Sequence, residues 1–211
     1  AAMTDVDGCE DEPELAREVN SIAARNVALA CQEVGAAVLH VSTDFVFDGE
    51  KNRPYMEGDT TRPLSVYGKT KLEGEKQVRT YCARHFIVRT AWLYGAASPR
   101  NFVEWVIRNA ENEGPFRVVT DQCGSPTFTL DLCYQIAVLL RSRAYGLYHA
   151  TGEGYCSRHD WATAILENLG MGDREIGAMT SDELNQKAKR PRNSGLENAR
   201  LHREGLCVMR D

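Results

Sequence analysis

Tyr67-Gly68-Lys69-Thr70-Lys71 sets a phenol and an ammonium at positions i and i+4, one turn apart on one face of a helix. An unperturbed phenol titrates at about 10, too high for it to exchange protons at neutral pH by itself. An ammonium held close favours the phenolate and lowers that value. The pair can then pass a proton to or from a carbonyl or alkoxide as a hydride moves. The same spacing arises often by chance, as a helix-start tyrosine and a solvated lysine. Upstream lies Ser42-Thr43-Asp44-Phe45-Val46-Phe47-Asp48-Gly49, directly after an apolar run that ends at Val41. In open α/β sheets ligands sit beyond the carboxyl ends of the strands, so the Thr43 hydroxyl can bond the same substrate oxygen as Tyr67. Ser42-Thr43-Asp44 also suits a turn and helix-cap cluster. The strand-end position, together with the tyrosine and lysine downstream, favours a functional role.

Alternating helices and strands must hold these groups. Glu12-Pro13-Glu14-Leu15 starts a helix, with proline and acids in its first turn. Leu15, Val19, Ile22, Ala23, Val27 and Ala30 carry its apolar stripe, and Gly35 ends it. Residues 36–41 are nearly all apolar, as expected of a strand covered on both faces. The pattern then predicts a helix over 66–85, a strand over 86–92 and a helix over 101–112. A strand over 116–119, a helix over 130–141, a strand over 146–150 and a helix over 161–169 follow. This order implies a parallel sheet with helices on both faces. No GxGxxG or GxxGxxG occurs, and Gly152-Glu153-Gly154 reads as a surface turn. Trp105 and Trp161 fall on apolar helical stripes and are expected in the core.

Hydrophobic residues make up 43% of the 211 and charged residues 26%, a globular composition. The apolar runs are far too short to span a membrane, and the residues at the start of the sequence do not lead us to expect a secretory signal. A net charge of −5 argues against a nucleic-acid partner. The seven cysteines are an odd number with no CxxC pair, which suits reduced cytosolic thiols. The five histidines show no HxxxH or HxH spacing, so no metal site is assigned. Lys189-Arg190-Pro191-Arg192 offers guanidinium forks that suit a diphosphate, or else forms a solvated basic turn. Residues 121–127 read as a structural loop whose turn Pro126 fixes.

The chain resembles the extended short-chain dehydrogenases/reductases, and within them the dTDP-4-dehydrorhamnose reductase branch. The match runs in order through residues 1–7, 42–49, 63–71 and 89–95, then Asn101-Phe102, 121–127, 146–152 and 190–194. The Ser-Thr-Asp-aromatic-Val-Phe-Asp-Gly and Asp-Gln-x-Gly-x-Pro-Thr stretches are its most specific parts. The resemblance implies an α/β fold: a partial Rossmann-type doubly wound parallel sheet lacking its first strands, plus a small C-terminal substrate-binding region. Residues 1–119 would be the later part of the NAD(P)-binding domain and 120–211 mainly substrate-binding, with 146–150 returning to the main sheet.

The implied activity is reduction of a nucleotide-linked 4-keto-6-deoxysugar, dTDP-4-dehydro-L-rhamnose to dTDP-L-rhamnose, with NADPH or NADH, in the cytoplasm. Tyr67 would protonate the C4 ketone oxygen. Lys71 would lower the phenol's pKa and hold the nicotinamide ribose, and Thr43 would bond the reacting oxygen. Asp44 and Trp92 would line the sugar pocket. Ala2, Met3, Thr4 and Val41 would lie along the cofactor, Met3 through its backbone. Family members can use magnesium at a dimer contact, so that ion and a homodimer are implied by the resemblance alone. Phe45, where dehydratases carry Glu, argues against a dehydratase, and the run from Phe45 to Asp48 fits epimerases poorly. The alternatives are a non-catalytic subunit on the same scaffold, like the regulatory beta subunit of methionine adenosyltransferase, or an enzyme of another nucleotide sugar. The family's Gly-rich turn, its first helix and roughly its first sixty residues have no counterpart here, judged against the size of one α/β domain. The last helix also stops short. The expectation is therefore a segment of a longer protein, with impaired cofactor binding and an unpaired apolar edge at 36–41.

Overall fold

The computed structural model describes residues 2–96, 101–112 and 114–211. Its elements in chain order begin with α1 (Val6–Asp11), α2 (Pro13–Arg17), a π-helical turn (Glu18–Ile22) and α3 (Ala23–Glu33). β1 (Val38–Thr43), α4 (Val66–Tyr81), β2 (His85–Thr90), β3 (Leu93–Tyr94), α5 (Phe102–Glu111) and β4 (Arg117–Val119) come next. Then come β5 (Cys123–Gly124), β6 (Thr127–Phe128), α6 (Thr129–Ser142), β7 (Gly146–His149), β8 (Cys156–Ser157), α7 (Arg158–Asn168), β9 (Gly177–Met179) and α8 (Ala199–Arg203).

The main sheet runs β1-β2-β7 and is parallel throughout, with Val41 beside Val88 and Val88 beside Tyr148. Gly146–His149 thus joins this sheet although some fifty residues separate it from β2. The pleat alternates β2 side chains between two cores. Ile87 packs with Ala28, Val38, Val78 and Cys82 under α3 and α4, whereas Phe86 and Val88 pack with Leu132, Leu139 and Leu201 under α6 and α8. Helices cover both faces, and the molecule is an α/β protein of Rossmann type.

Polar side chains set several helix starts. The Ser65 hydroxyl accepts the Gly68 N–H at 3.2 Å, and Asn101 accepts from the Glu104 N–H at 3.1 Å. α7 begins earlier than its apolar stripe suggests, because Ser157 and Asp160 form a reciprocal capping box. Gly35 takes the left-handed conformation (φ 66°) that closes α3.

Three expectations fail. The strand expected over 36–41 starts at Val38, and its Leu39 and His40 are half-buried and Val41 exposed, because β1 pairs only with β2 among the described residues. Trp105 is 40% exposed, stacking on Phe102 at the surface instead of entering the core. The helix from residue 13 is interrupted by the π turn, which no apolar period signals.

His149 is fully buried, with Nδ1 3.0 Å from the Tyr55 carbonyl, and burial pushes its pKa down to about 3. Burial and then the Lys71 charge push His40 down to about 4. The unfolded chain takes up these protons near 6.5 and the folded one does not, so stability falls as pH drops below 6.5. Asp44, pushed up by burial to about 6, works the other way between 6 and 3.8. Each histidine should cost about 2 kcal/mol by pH 5, which leaves a net loss of about 2 kcal/mol after the Asp44 offset. Urea midpoints measured at pH 7 and pH 5 check this, and equal midpoints would contradict it.

Candidate active site

β1 ends in Ser42 and Thr43, and the chain turns at once into a single 3-10 turn, Asp44–Val46. Thr43 Oγ1 donates to Asp44 Oδ1 at 2.9 Å and accepts the Phe45 N–H at 3.2 Å. These bonds hold the hydroxyl at the carboxyl end of the strand. α4 lies directly on this turn: a Cβ on Gly68 would stand 2.2 Å from the Phe45 carbonyl oxygen, so only glycine allows the approach. The Tyr67 ring meets Phe45 edge-on at 5.7 Å. One turn on, Lys71 is 4% exposed and its Nζ donates to the Val41 carbonyl at 2.6 Å.

Thr43, Tyr67 and Lys71 line one cavity of about 830 Å³, together with Ala2, Thr4, Val41, Asp44, Trp92 and Arg158. Met3 is not among the lining residues. Its N–H donates to Asn20 Oδ1 at 2.9 Å and its carbonyl accepts from Asn20 Nδ2 at 3.0 Å, so both its backbone groups are engaged. Ala1, the first residue of the family-matching stretch 1–7, lies outside the described residues.

The charges differ from the expectation that Lys71 lowers the Tyr67 pKa. Burial pushes the phenol up to about 12, against a hydrogen bond to Thr43 that lowers it, with the Asp44 charge adding to the rise. Burial pushes Lys71 down to about 8, partly offset by Glu75. The ammonium is turned onto the Val41 carbonyl, not the phenol. Tyr67 is therefore a protonated acid throughout the neutral range. Behind the site, the fully buried Glu75 accepts from Ser42 Oγ at 2.6 Å and from both ends of the Arg89 fork at 2.8 and 2.7 Å. This network ties α4, β1 and β2 into one block.

The opposite wall is aromatic. Trp92 has a left-handed backbone (φ 45°), unusual for a bulky residue, and stacks on Trp161 at 5.6 Å. The Arg158 guanidinium lies 3.6 Å from the Trp92 ring centre. Burial pushes the Arg158 pKa down to about 10, and Asp44 supplies its counter-charge. A Cβ on Gly124 would come within 2.3 Å of the Trp92 indole, so the glycine of the Asp-Gln-x-Gly stretch is needed to seat this side chain. Arg158 and Gly124 were missed in the sequence. The Ser157-x-x-Asp160 box was the one signal that could have placed Arg158 at a helix start. Buried Thr90 Oγ1, on the cavity wall, has no hydrogen-bond partner among the described residues. Arg190 is neither free nor solvated: its fork grips Asp7 at 3.1 and 3.0 Å and holds that carboxyl below its usual range.

The cavity joins a buried ammonium, a proton-bearing phenol, a strand-end hydroxyl and an unmatched buried hydroxyl to an aromatic wall. That set suits an organic ligand with a carbonyl or hydroxyl at the Tyr67 end.

The model of the RmlD substrate binding domain matches residues 1–211. The spore coat polysaccharide biosynthesis protein SpsK of Bacillus subtilis is 40% identical over 98% of this chain and 72% of its own length. A dTDP-4-dehydrorhamnose reductase of Streptomyces griseus is 42% identical over 100% of this chain and 71% of its own length. The crystal structure of the Bacillus anthracis dTDP-4-dehydrorhamnose reductase in complex with NADP superposes with a TM-score of 0.95. It is 38% identical and covers 100% of this chain and 74% of that one.

Proposed function

The chain belongs to the RmlD substrate binding domain family, and from that premise we propose that it reduces dTDP-4-dehydro-L-rhamnose to dTDP-L-rhamnose with NAD(P)H. The observation that carries the reading is the convergence of Thr43, Tyr67 and Lys71 on one cavity at the end of a parallel strand.

The cavity fits the cofactor's demands: a buried ammonium at the strand end, small residues Ala2 and Thr4 along one wall, and the unmatched Thr90 hydroxyl. Bound NAD(P)H supplies the hydride. Tyr67 keeps its proton at neutral pH and gives it to the ketone oxygen as negative charge develops there. Thr43 turns its one hydroxyl proton from Asp44 to the same oxygen. Lys71 holds the ribose, while Asp44 and Trp92 bound the sugar, with Arg158 fixing the Trp92 face. In this reading residues 1–119 carry the cofactor contacts and the Thr/Tyr/Lys set, and residues 120–211 mainly bind substrate. The seven cysteines are all unpaired, and we place the protein in the reducing cytoplasm. Among the described residues no helix is long and apolar enough to cross a membrane.

The test is NAD(P)H oxidation by the purified protein on addition of dTDP-4-dehydro-L-rhamnose. Turnover supports the reading. Turnover only with another nucleotide 4-keto sugar moves the substrate, and none with any such sugar from protein that binds NAD(P)H overturns the reading.

Lys71 adds a pH dependence. Its ammonium is present below about 8 and lost above it. The pH profile of kcat/KM, which reports the unliganded enzyme, should therefore fall above about pH 8, by up to about tenfold per unit. A profile level through that range would remove Lys71 from cofactor or substrate capture.

A further inference from the structure

Outside the cavity, a side chain from the turn after β7 meets two from the C-terminal segment. Glu153 sits in the Gly152-Glu153-Gly154 turn after β7, His202 in the last turn of α8, and Cys207 in the segment beyond it. His202 Nε2 lies 2.8 Å from Glu153 Oε1, and Cys207 Sγ lies 3.4 Å from the same oxygen. The three donor atoms all lie within 4.8 Å of one another. None of the three residues lines the catalytic cavity.

We propose that Glu153, His202 and Cys207 form a zinc site that ties the C-terminal segment to the turn after β7. A carboxylate, an imidazole and a thiolate match the ligand preferences of zinc, whereas calcium and magnesium take oxygen alone. Tetrahedral zinc bonds of about 2.0–2.3 Å place ligand atoms about 3.3–3.8 Å apart. The Glu153–His202 pair has to open by about half an ångström to meet that spacing, and the exposed His202 side chain can swing that far.

The surroundings are built to hold the carboxylate. Asn198, 1% exposed, donates from Nδ2 to Glu153 Oε1 at 3.0 Å and to the Thr151 carbonyl at 2.9 Å. Its Oδ1 accepts the Thr151 N–H at 3.0 Å. The Glu153 N–H donates to the Arg210 carbonyl at 2.9 Å, which fixes the turn from its other side. Such outer contacts are what orient metal ligands. α8 is anchored independently by fully buried Leu201 and by Arg200 lying 4.2 Å from the Tyr148 ring centre, and Cys207 packs against the same core. The positions of the ligands therefore do not depend on the ion. His202 is 56% exposed along its side chain, which leaves a side open for a water as fourth ligand. On binding, the thiol proton passes to solvent as the sulfur takes the metal, with no change of oxidation state.

The reading of the histidines by their spacing missed this set, because Glu153 lies about fifty residues from His202 and Cys207 and meets them only when β7 and α8 pack together. The experiment uses the full chain stripped with EDTA and titrated with zinc chloride. One zinc should bind per chain, and the thermal midpoint should rise by about 5–10 °C at a hundredfold excess over Kd. Cys207→Ser and the exposed-site variant His202→Ala should each weaken binding at least tenfold and cut that rise by about half or more. Cobalt in place of zinc should give a thiolate charge-transfer band that Cys207→Ser lacks. A rise of equal size in both variants would place the ion elsewhere, for example at exposed Cys133, and overturn the proposal. No rise and no cobalt–thiolate band in the unmodified chain would do the same.

Discussion

Tyr67→Phe is expected to lower kcat by about two to four orders of magnitude while the protein stays folded. The variant keeps the ring and its edge contact with Phe45, and loses only the hydroxyl that lines the cavity. Its stability cost should be small, about 1 kcal/mol, which a urea melt will barely register. The rate loss follows from the acid's position and state. With the phenol pushed up to about 12, the proton is present at every working pH, so its removal leaves the developing alkoxide without a donor. KM should move little, because the missing interaction forms chiefly as charge appears on the oxygen. Single-turnover rates of cofactor oxidation measure the effect, and a variant within a factor of ten of the unmodified enzyme would exclude Tyr67 as the acid.

Arg89→Ala should be among the most damaging changes for stability, at about 3–5 kcal/mol. Arg89 and Glu75 are 2% and 0% exposed along their side chains, and the Arg89 guanidinium also lies 5.1 Å from the Phe47 ring centre. Removing the cation leaves a buried carboxylate whose remaining polar contact is Ser42. The pair itself need not add to stability, since charges taken out of water recover through their mutual attraction little more than their desolvation costs. A double change, Glu75→Leu with Arg89→Met, should therefore lose much less than the two single changes added together. Urea midpoints and slopes for Arg89→Ala, the two single changes and the double change measure this. A single-variant loss below about 1 kcal/mol would mean that water reaches the pair. Because Glu75 is one turn beyond Lys71, the Arg89 variant should also disturb the lysine, which the pH profile would report.

The parts of the site that share one helix or one strand end were legible in the sequence. Tyr67 and Lys71 are placed on one face by helical spacing alone, and Thr43 follows within two residues of an apolar run that suits a strand. The pattern read a strand at 146–150, while its return to the sheet, seen in the pairing with β2, came from the resemblance alone. Arg158, Gly124 and Asn20 were not, since each owes its role to a partner brought near by tertiary packing: Trp92 for the first two, the Met3 backbone for the third. The electrostatics misled for the same reason. The spacing puts the ammonium and the phenol on one helix face, but the Val41 carbonyl, from another element, takes the ammonium and burial sets both proton affinities. Trp105 shows the limit of periodicity: an apolar stripe names a face, not how far along the helix that face stays covered.

The π turn has a consequence for how this chain tolerates change in length. It holds one more residue than an α turn would, and that surplus brings Asn20 between Met3 and Thr70 while its carbonyl rests against Gly74, where a Cβ would stand 2.3 Å away. Deleting one residue from 18–22 would restore a regular helix and rotate α1 and α2 by roughly 100° relative to α3. The clamp on residue 3 would then face the wrong way. A single-residue gap at this place, invisible to any measure of hydrophobic pattern, would separate chains that can fix residue 3 against α4 from chains that cannot.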